Sequence, residues 1–141
     1  FKALFKIASG TGAYLGTTGI YITIRDTLGS YVIGFRLAWN SGTSQIDIYS
    51  RSTTFPALTT ETLITSFPDT GKLIEVESIY NAAISLNSRV KIDGVNYSNI
   101  ISTNLPASGT VNFIQQFGTV GAGAFTGTVT VNLYDYKCVQ Y

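Results

Sequence analysis

Apolar and polar residues exchange places at almost every step along this 141-residue chain, and that period of two suits strands and little else. Phe1, Ala3, Phe5 and Ile7 share one parity, with Lys2 and Lys6 on the other. Ile20, Ile22 and Ile24 alternate with Tyr21, Thr23 and Arg25. Tyr31, Ile33, Phe35 and Leu37 follow, with Arg36 on the opposite side. Ile46 and Ile48 alternate with Asp47 and Tyr49. The pattern resumes over Lys72–Tyr80, again over Ile84–Ile92, and closes over Phe125–Tyr134. β-Branched and aromatic residues dominate these runs, as half-buried strands favour.

Turn signals divide the runs. Ser9–Gly19 is glycine-rich, Asp26–Ser30 and Asn40–Ser44 have hairpin length, and Gly118–Gly123 precedes the last strand. Asp93-Gly94 is a two-residue turn signal, because both residue types accept positive φ. Pro56, Pro68 and Pro106 all fall outside the strand runs, where a missing N–H does no harm. The threonines of Ala57–Ser66 argue against a helix there and for strand or irregular structure. The expectation is an all-β antiparallel sandwich of about nine to eleven strands. One domain is expected to span residues 1–141. No methionine occurs and Phe1-Lys2 stands inside a strand pattern, so the chain is expected to be a fragment or processed part of a longer one.

Several motifs resemble the concanavalin A-like lectin/glucanase superfamily, and within it the laminin-G-like domain. Phe1–Ala8 matches the opening strand. Gly34-Phe35-Arg36-Leu37 followed by Gln45–Tyr49 matches a "G-F-x-L" strand and its hairpin partner. Lys72–Tyr80 followed by Arg89–Val95 matches the crossing strand and its partner, with Asp93-Gly94 where the family often has Asn-Gly. Phe117–Tyr134 matches the closing "F-x-G-x-I-x-x-x-x-x-Y" segment. The resemblance implies a jelly roll. It also raises two questions known from such relatives, a bound calcium and a catalytic glutamate pair.

Composition and chemistry bear on both. The acids Asp26, Asp47, Asp69, Asp93 and Asp135 are dispersed and form no D-x-D-x-D cluster, so no cofactor is expected and calcium ranks as a minor alternative. Glu75 and Glu77 share one sheet face, but the flanking Ile74 and Val76 read as the core face. The pair therefore reads as a solvated strand face rather than an acid and a nucleophile. Histidine is absent, which removes the commonest general base and transition-metal ligand. The chain is expected not to be an enzyme, with a glycoside hydrolase as the least favoured alternative. Cys138 stands alone and cannot form an internal disulfide. Charged residues make up 12%, about half the usual share, with a net charge of +1 and no runs. Nucleic acid is not an expected partner on that footing. No apolar stretch approaches the ~20 residues of a membrane-spanning helix, and no membrane insertion is expected.

Aromatic residues supply the functional signal. Tyr14, Trp39, Tyr49, Tyr80 and Tyr97 are taken as loop-tip or polar-parity positions, and Asn40, Asn81 and Asn96 adjoin three of them. Ring faces stacked on C–H surfaces beside amides that bond hydroxyls are what sugar binding uses. These eight residues are the candidate ligand-binding set. The expected role is a non-catalytic glycan- or receptor-binding, adhesion-type module of a secreted, cell-surface or virion-surface protein. The alternative is a structural subunit: a virion or phage decoration, tail or fibre domain, or a self-assembling filament. A homo-oligomer or larger assembly is expected in either case. The alternation at Tyr134-Asp135-Tyr136-Lys137-Cys138 suggests one subunit contact.

Overall fold

The computed structural model describes residues 2–9, 20–26, 31–40, 43, 45–54, 58–68, 72–81, 84–105, 113–119 and 130–137. Among them every regular element is a strand: β1 Lys2–Ser9, β2 Ile20–Asp26, β3 Tyr31–Asn40, β4 Gln45–Thr54, β5 Leu58–Phe67, β6 Leu73–Asn81, β7 Ser85–Ile92, β8 Val95–Ile101, β9 Phe113–Thr119 and β10 Thr130–Lys137. They form two antiparallel five-stranded sheets. One, the meander sheet, runs β5-β4-β3-β2-β9; the other, the terminal sheet, runs β10-β1-β6-β7-β8. The chain thus lays down β2 to β5 side by side and crosses to the other sheet for β6 to β8. It then returns twice, β9 to the flank of β2 and β10 to the flank of β1.

The predicted alternation decides what β2, β3, β4, β6 and β7 bury. Ile20, Ile22, Ile33, Phe35, Leu37, Ile46, Ile48, Ile74, Val76, Leu86 and Val90 are almost wholly buried. They fall into two clusters, and each cluster draws on both sheets. The sheets therefore bury their inner faces against each other, with the core between them. Buried Ser50 and Ser52 of β4 and buried Ser78 and Ser88 of β6 and β7 also lie on the inward parity. Ser50 donates to the Thr62 carbonyl at 3.4 Å and Ser52 donates to the Asn104 carbonyl.

A bulge in β5 and the turn between β7 and β8 shape the outer faces. In the β4–β5 pairing, Ile48 faces Thr65 while the next residue, Tyr49, faces Leu63. Ile64 is the extra residue of a β-bulge, and it packs on the core. The bulge switches the parity of the first half of β5, so Glu61, opposite Arg51, turns to the outer face. At the β7–β8 hairpin, Asp93 has φ 46° and Gly94 φ 93°, the two positive values a type I′ turn requires. The Asp93 carboxylate accepts from the Leu73 amide at 3.2 Å and pairs with the Lys72 ammonium at 2.9 Å, tying the turn to the start of β6.

The alternation expected from Ile84 begins one residue later. Ile84 sits in the turn before β7 and is 64% exposed. The closing strand runs further than expected, to Lys137, while residues 120–129 lie outside the described set. Cys138 lies outside it too.

Candidate functional site

The outer face of the meander sheet carries a connected polar and aromatic network. It is built from positions that oppose one another across four strands. Tyr21 of β2 faces Arg36 of β3, which faces Tyr49 of β4. Arg51 of β4 faces Glu61 of β5, and Asp47 of β4 faces Ser66 of β5.

Arg36 donates through Nε and Nη2 to the two Glu61 carboxylate oxygens, at 2.9 and 2.8 Å. Arg51 donates to the same carboxylate through Nη1 at 2.5 Å. One carboxylate thus serves two guanidinium groups, and the three side chains are only 14 to 22% exposed. Each guanidinium also lies over a ring. The Arg36 Cζ is 4.6 Å from the Tyr49 centroid and the Arg51 Cζ is 5.3 Å from that of Tyr21. Arg51 reaches Tyr21 across β3, where Gly34 stands between Arg51 and Thr23 in the register. A residue without a side chain leaves that crossing open. Next to this group, the buried Asp47 carboxylate gathers three donors: Asn40 Nδ2 at 3.0 Å, the Tyr49 hydroxyl at 3.0 Å and Ser66 Oγ at 2.6 Å.

The electrostatics follow from these contacts. Burial pushes the Glu61 carboxyl upward, but the bonds and charges of Arg36 and Arg51 outweigh it and hold the carboxyl below the ordinary glutamate range. Burial lowers Arg36, and the Glu61 carboxylate reverses that to a net increase. Burial raises the Tyr49 phenol, and its bond to the Asp47 carboxylate raises it further. At neutral pH the network therefore holds a cationic Arg36, an ionised Glu61 and a neutral Tyr49 phenol. Among the described residues no three His, Cys, Asp or Glu side chains gather where a metal ion could be held.

The structure divides the eight sequence-predicted ligand residues. Asn40 and Tyr49 lie together in this network, joined through Asp47. Asn96 and Tyr97 lie on β8 of the other sheet. Tyr80 is a correction: it has the parity of Ile74 and Val76 and packs on the second core cluster, while its exposed neighbour Ile79 points outward. Asn81 is exposed at the end of β6, and its carbonyl accepts from the Ile84 amide at 3.0 Å. Trp39 is in register with buried Ile46, on the strand parity of Phe35 and Leu37 rather than that of Arg36, and its side chain lies outside the described set. Tyr14 lies outside the described residues. Tyr21, Arg36, Asp47, Arg51, Glu61 and Ser66 are the members that aromatic–asparagine neighbours could not reveal. The polar parity of Tyr21, Arg36, Asp47 and Tyr49 was visible, but not the register that joins them.

The outer face of the terminal sheet is different. Glu75 faces Lys91, and Glu77 faces Arg89 with 3.7 Å between the charged groups. Glu75, Glu77, Arg89, Lys91 and Asn96 line a shallow depression, and Arg89, Asn96, Tyr97 and Ser98 line another beside it. Arg89 is 68% exposed. Solvent screens such a pair, so it holds its side chains far less firmly than the network on the meander sheet. No family model, curated protein or solved structure matches the chain.

Proposed function

We propose that the chain is a non-catalytic carbohydrate- or receptor-binding module whose ligand lies on the outer face of the meander sheet. The observation that carries this reading is the convergence of Asn40, Tyr49 and Ser66 on the Asp47 carboxylate, with Arg36 stacked on the Tyr49 ring. Amide, phenol and guanidinium groups locked beside aromatic rings on rigid strands suit hydroxyl-rich ligands. A guanidinium covers one face of each ring, and the polar groups are oriented before the ligand arrives.

The fold assignment belongs to the same proposal: a concanavalin A-like jelly roll of the laminin-G-like kind. Its support is the strand order, in which the chain crosses between sheets after β5 and the first and last described strands pair. The low-charge surface supports an extracellular, cell-surface or virion-surface setting. Single-site binding of this type is weak, and multivalent display would raise it.

A glycan array tests the reading. Binding should be lost on Tyr49→Ala and on Asn40→Ala while the circular dichroism spectrum stays unchanged. The control Asn81→Ala, remote from the network, should bind as the parent does. Retained binding in both network variants would sink the assignment.

A second reading, a structural subunit of a virion or filament, draws on the terminal sheet. Ile79 and Ile100 are 50% and 66% exposed there and flank Asn87 in one cross-strand row.

A further inference from the structure

We propose that β8 is a self-association edge, which pairs antiparallel with β8 of a second copy of this chain about a two-fold axis at Ser98. The inference is independent of the ligand reading.

Among the described residues β8 ends the terminal sheet and pairs with β7 alone. The type I′ turn fixes its hydrogen-bonding phase. Ile92 and Val95 flank the turn and form the bonded pair that closes the hairpin. Bonded pairs then alternate, so Val95, Tyr97, Asn99 and Ile101 direct their backbone groups to β7. Asn96, Ser98 and Ile100 direct theirs outward, and all three residues are exposed.

Edge strands in monomers are normally protected by charge, proline or a bulge. Val95–Ile101 has none of these: its sequence is VNYSNII and its register with β7 is unbroken. Lack of charge also suits pairing with an identical strand, because no like charges are brought together. Centred on Ser98, the pairing sets Ser98 against Ser98 and Asn96 against Ile100 of the second copy. All three outward-facing residues then form bonded pairs, each exchanging two backbone bonds.

The nearest charges also tolerate the arrangement. Arg89 is one strand in from Ser98. The two copies of Arg89 would stand three strand spacings apart, about 14 Å, beyond a Debye length of about 8 Å. Each also keeps its own Glu77. The shallow depression lined by Arg89, Asn96, Tyr97 and Ser98 runs along this edge, where the second copy would cover it. The product is a continuous sheet shared by two chains with isologous symmetry.

Light scattering on the full chain at micromolar concentration should give a dimer mass. Ser98→Lys and Ser98→Glu should each give a monomer, with unchanged circular dichroism, because each sets like charges face to face. Mixing the two variants should restore the dimer. In the unsubstituted chain, amide exchange at Asn96, Ser98 and Ile100 should slow as concentration rises, a reading that needs no variant. A monomeric parent chain, or a dimer that neither substitution disturbs, would overturn the proposal. So would a monomer that binds an unrelated extended peptide along β8, since the edge would then belong to a foreign strand.

Discussion

Glu61 is the residue on which the outer-face network depends. Its carboxylate answers two guanidinium groups that are largely withdrawn from water. Glu61→Gln keeps the shape and removes the charge. Loss of charge-assisted bonds at a partly exposed site should lower stability by about 1–3 kcal/mol, measured by urea denaturation. The pH dependence has a fixed sign. The folded-state carboxyl ionises below its unfolded value, so its contribution is present above the ordinary glutamate range and is lost as pH falls through the folded value. The parent chain should lose stability over that acid range, and the Glu61→Gln variant should show a shallower loss. Tyr49 behaves oppositely. Its raised phenol keeps its proton above the usual tyrosine range, so Tyr49 should ionise late in a spectrophotometric titration, and Asp47→Asn should bring that ionisation earlier.

At the scale of elements, two glycines and a serine separate shape from chemistry. Gly34 in β3 has φ +149°, and a Cβ there would lie 2.2 Å from the Ile22 carbonyl oxygen. Gly34→Ala should cost roughly 1–3 kcal/mol from backbone strain, with the clash against β2 adding to it. Gly94 has φ +93° and open space around the same position, so Gly94→Ala should cost about 1 kcal/mol, all of it conformational. Ser88 is wholly buried in β7, and its hydroxyl makes no hydrogen bond among the described residues. Ser88→Ala should therefore raise stability by about 1 kcal/mol in thermal or urea unfolding.

These elements also show where sequence reasoning reaches and where it stops. The Asp93-Gly94 turn and the buried parities of β2, β3, β4, β6 and β7 are local patterns, and local patterns are legible. The bulge at Ile64 is not. Two adjacent apolar residues, Leu63 and Ile64, blur the alternation of β5, and only the partner strand shows which one is inserted. Without that insertion Glu61 would share the parity of Phe67 and face the core. Tyr80 departs from expectation for a related reason. A tyrosine beside an asparagine near a strand end looks like a loop tip, whereas its parity with Ile74 and Val76 sends it inward.

At the scale of the whole molecule, the two sheets give each surface a different character. The meander sheet turns a fixed array of Arg, Tyr, Asp and Glu outward. The terminal sheet turns outward a screened row of opposite charges beside exposed Ile79 and Ile100. Composition foretold a low-charge β protein, but not which face would collect its few charges. That division depends on long-range register, such as Arg36 meeting Glu61 across 25 residues of sequence.

The ligand surface proposed for this chain is the outer face of the meander sheet. Chemical-shift mapping by NMR, during titration with a glycan found on an array, tests it most directly. The predicted result is a continuous set of perturbed resonances at Tyr21, Arg36, Asn40, Asp47, Tyr49, Arg51 and Glu61, with β6 and β7 unmoved. Perturbations centred on Glu75, Glu77, Arg89 and Asn96 instead would contradict it.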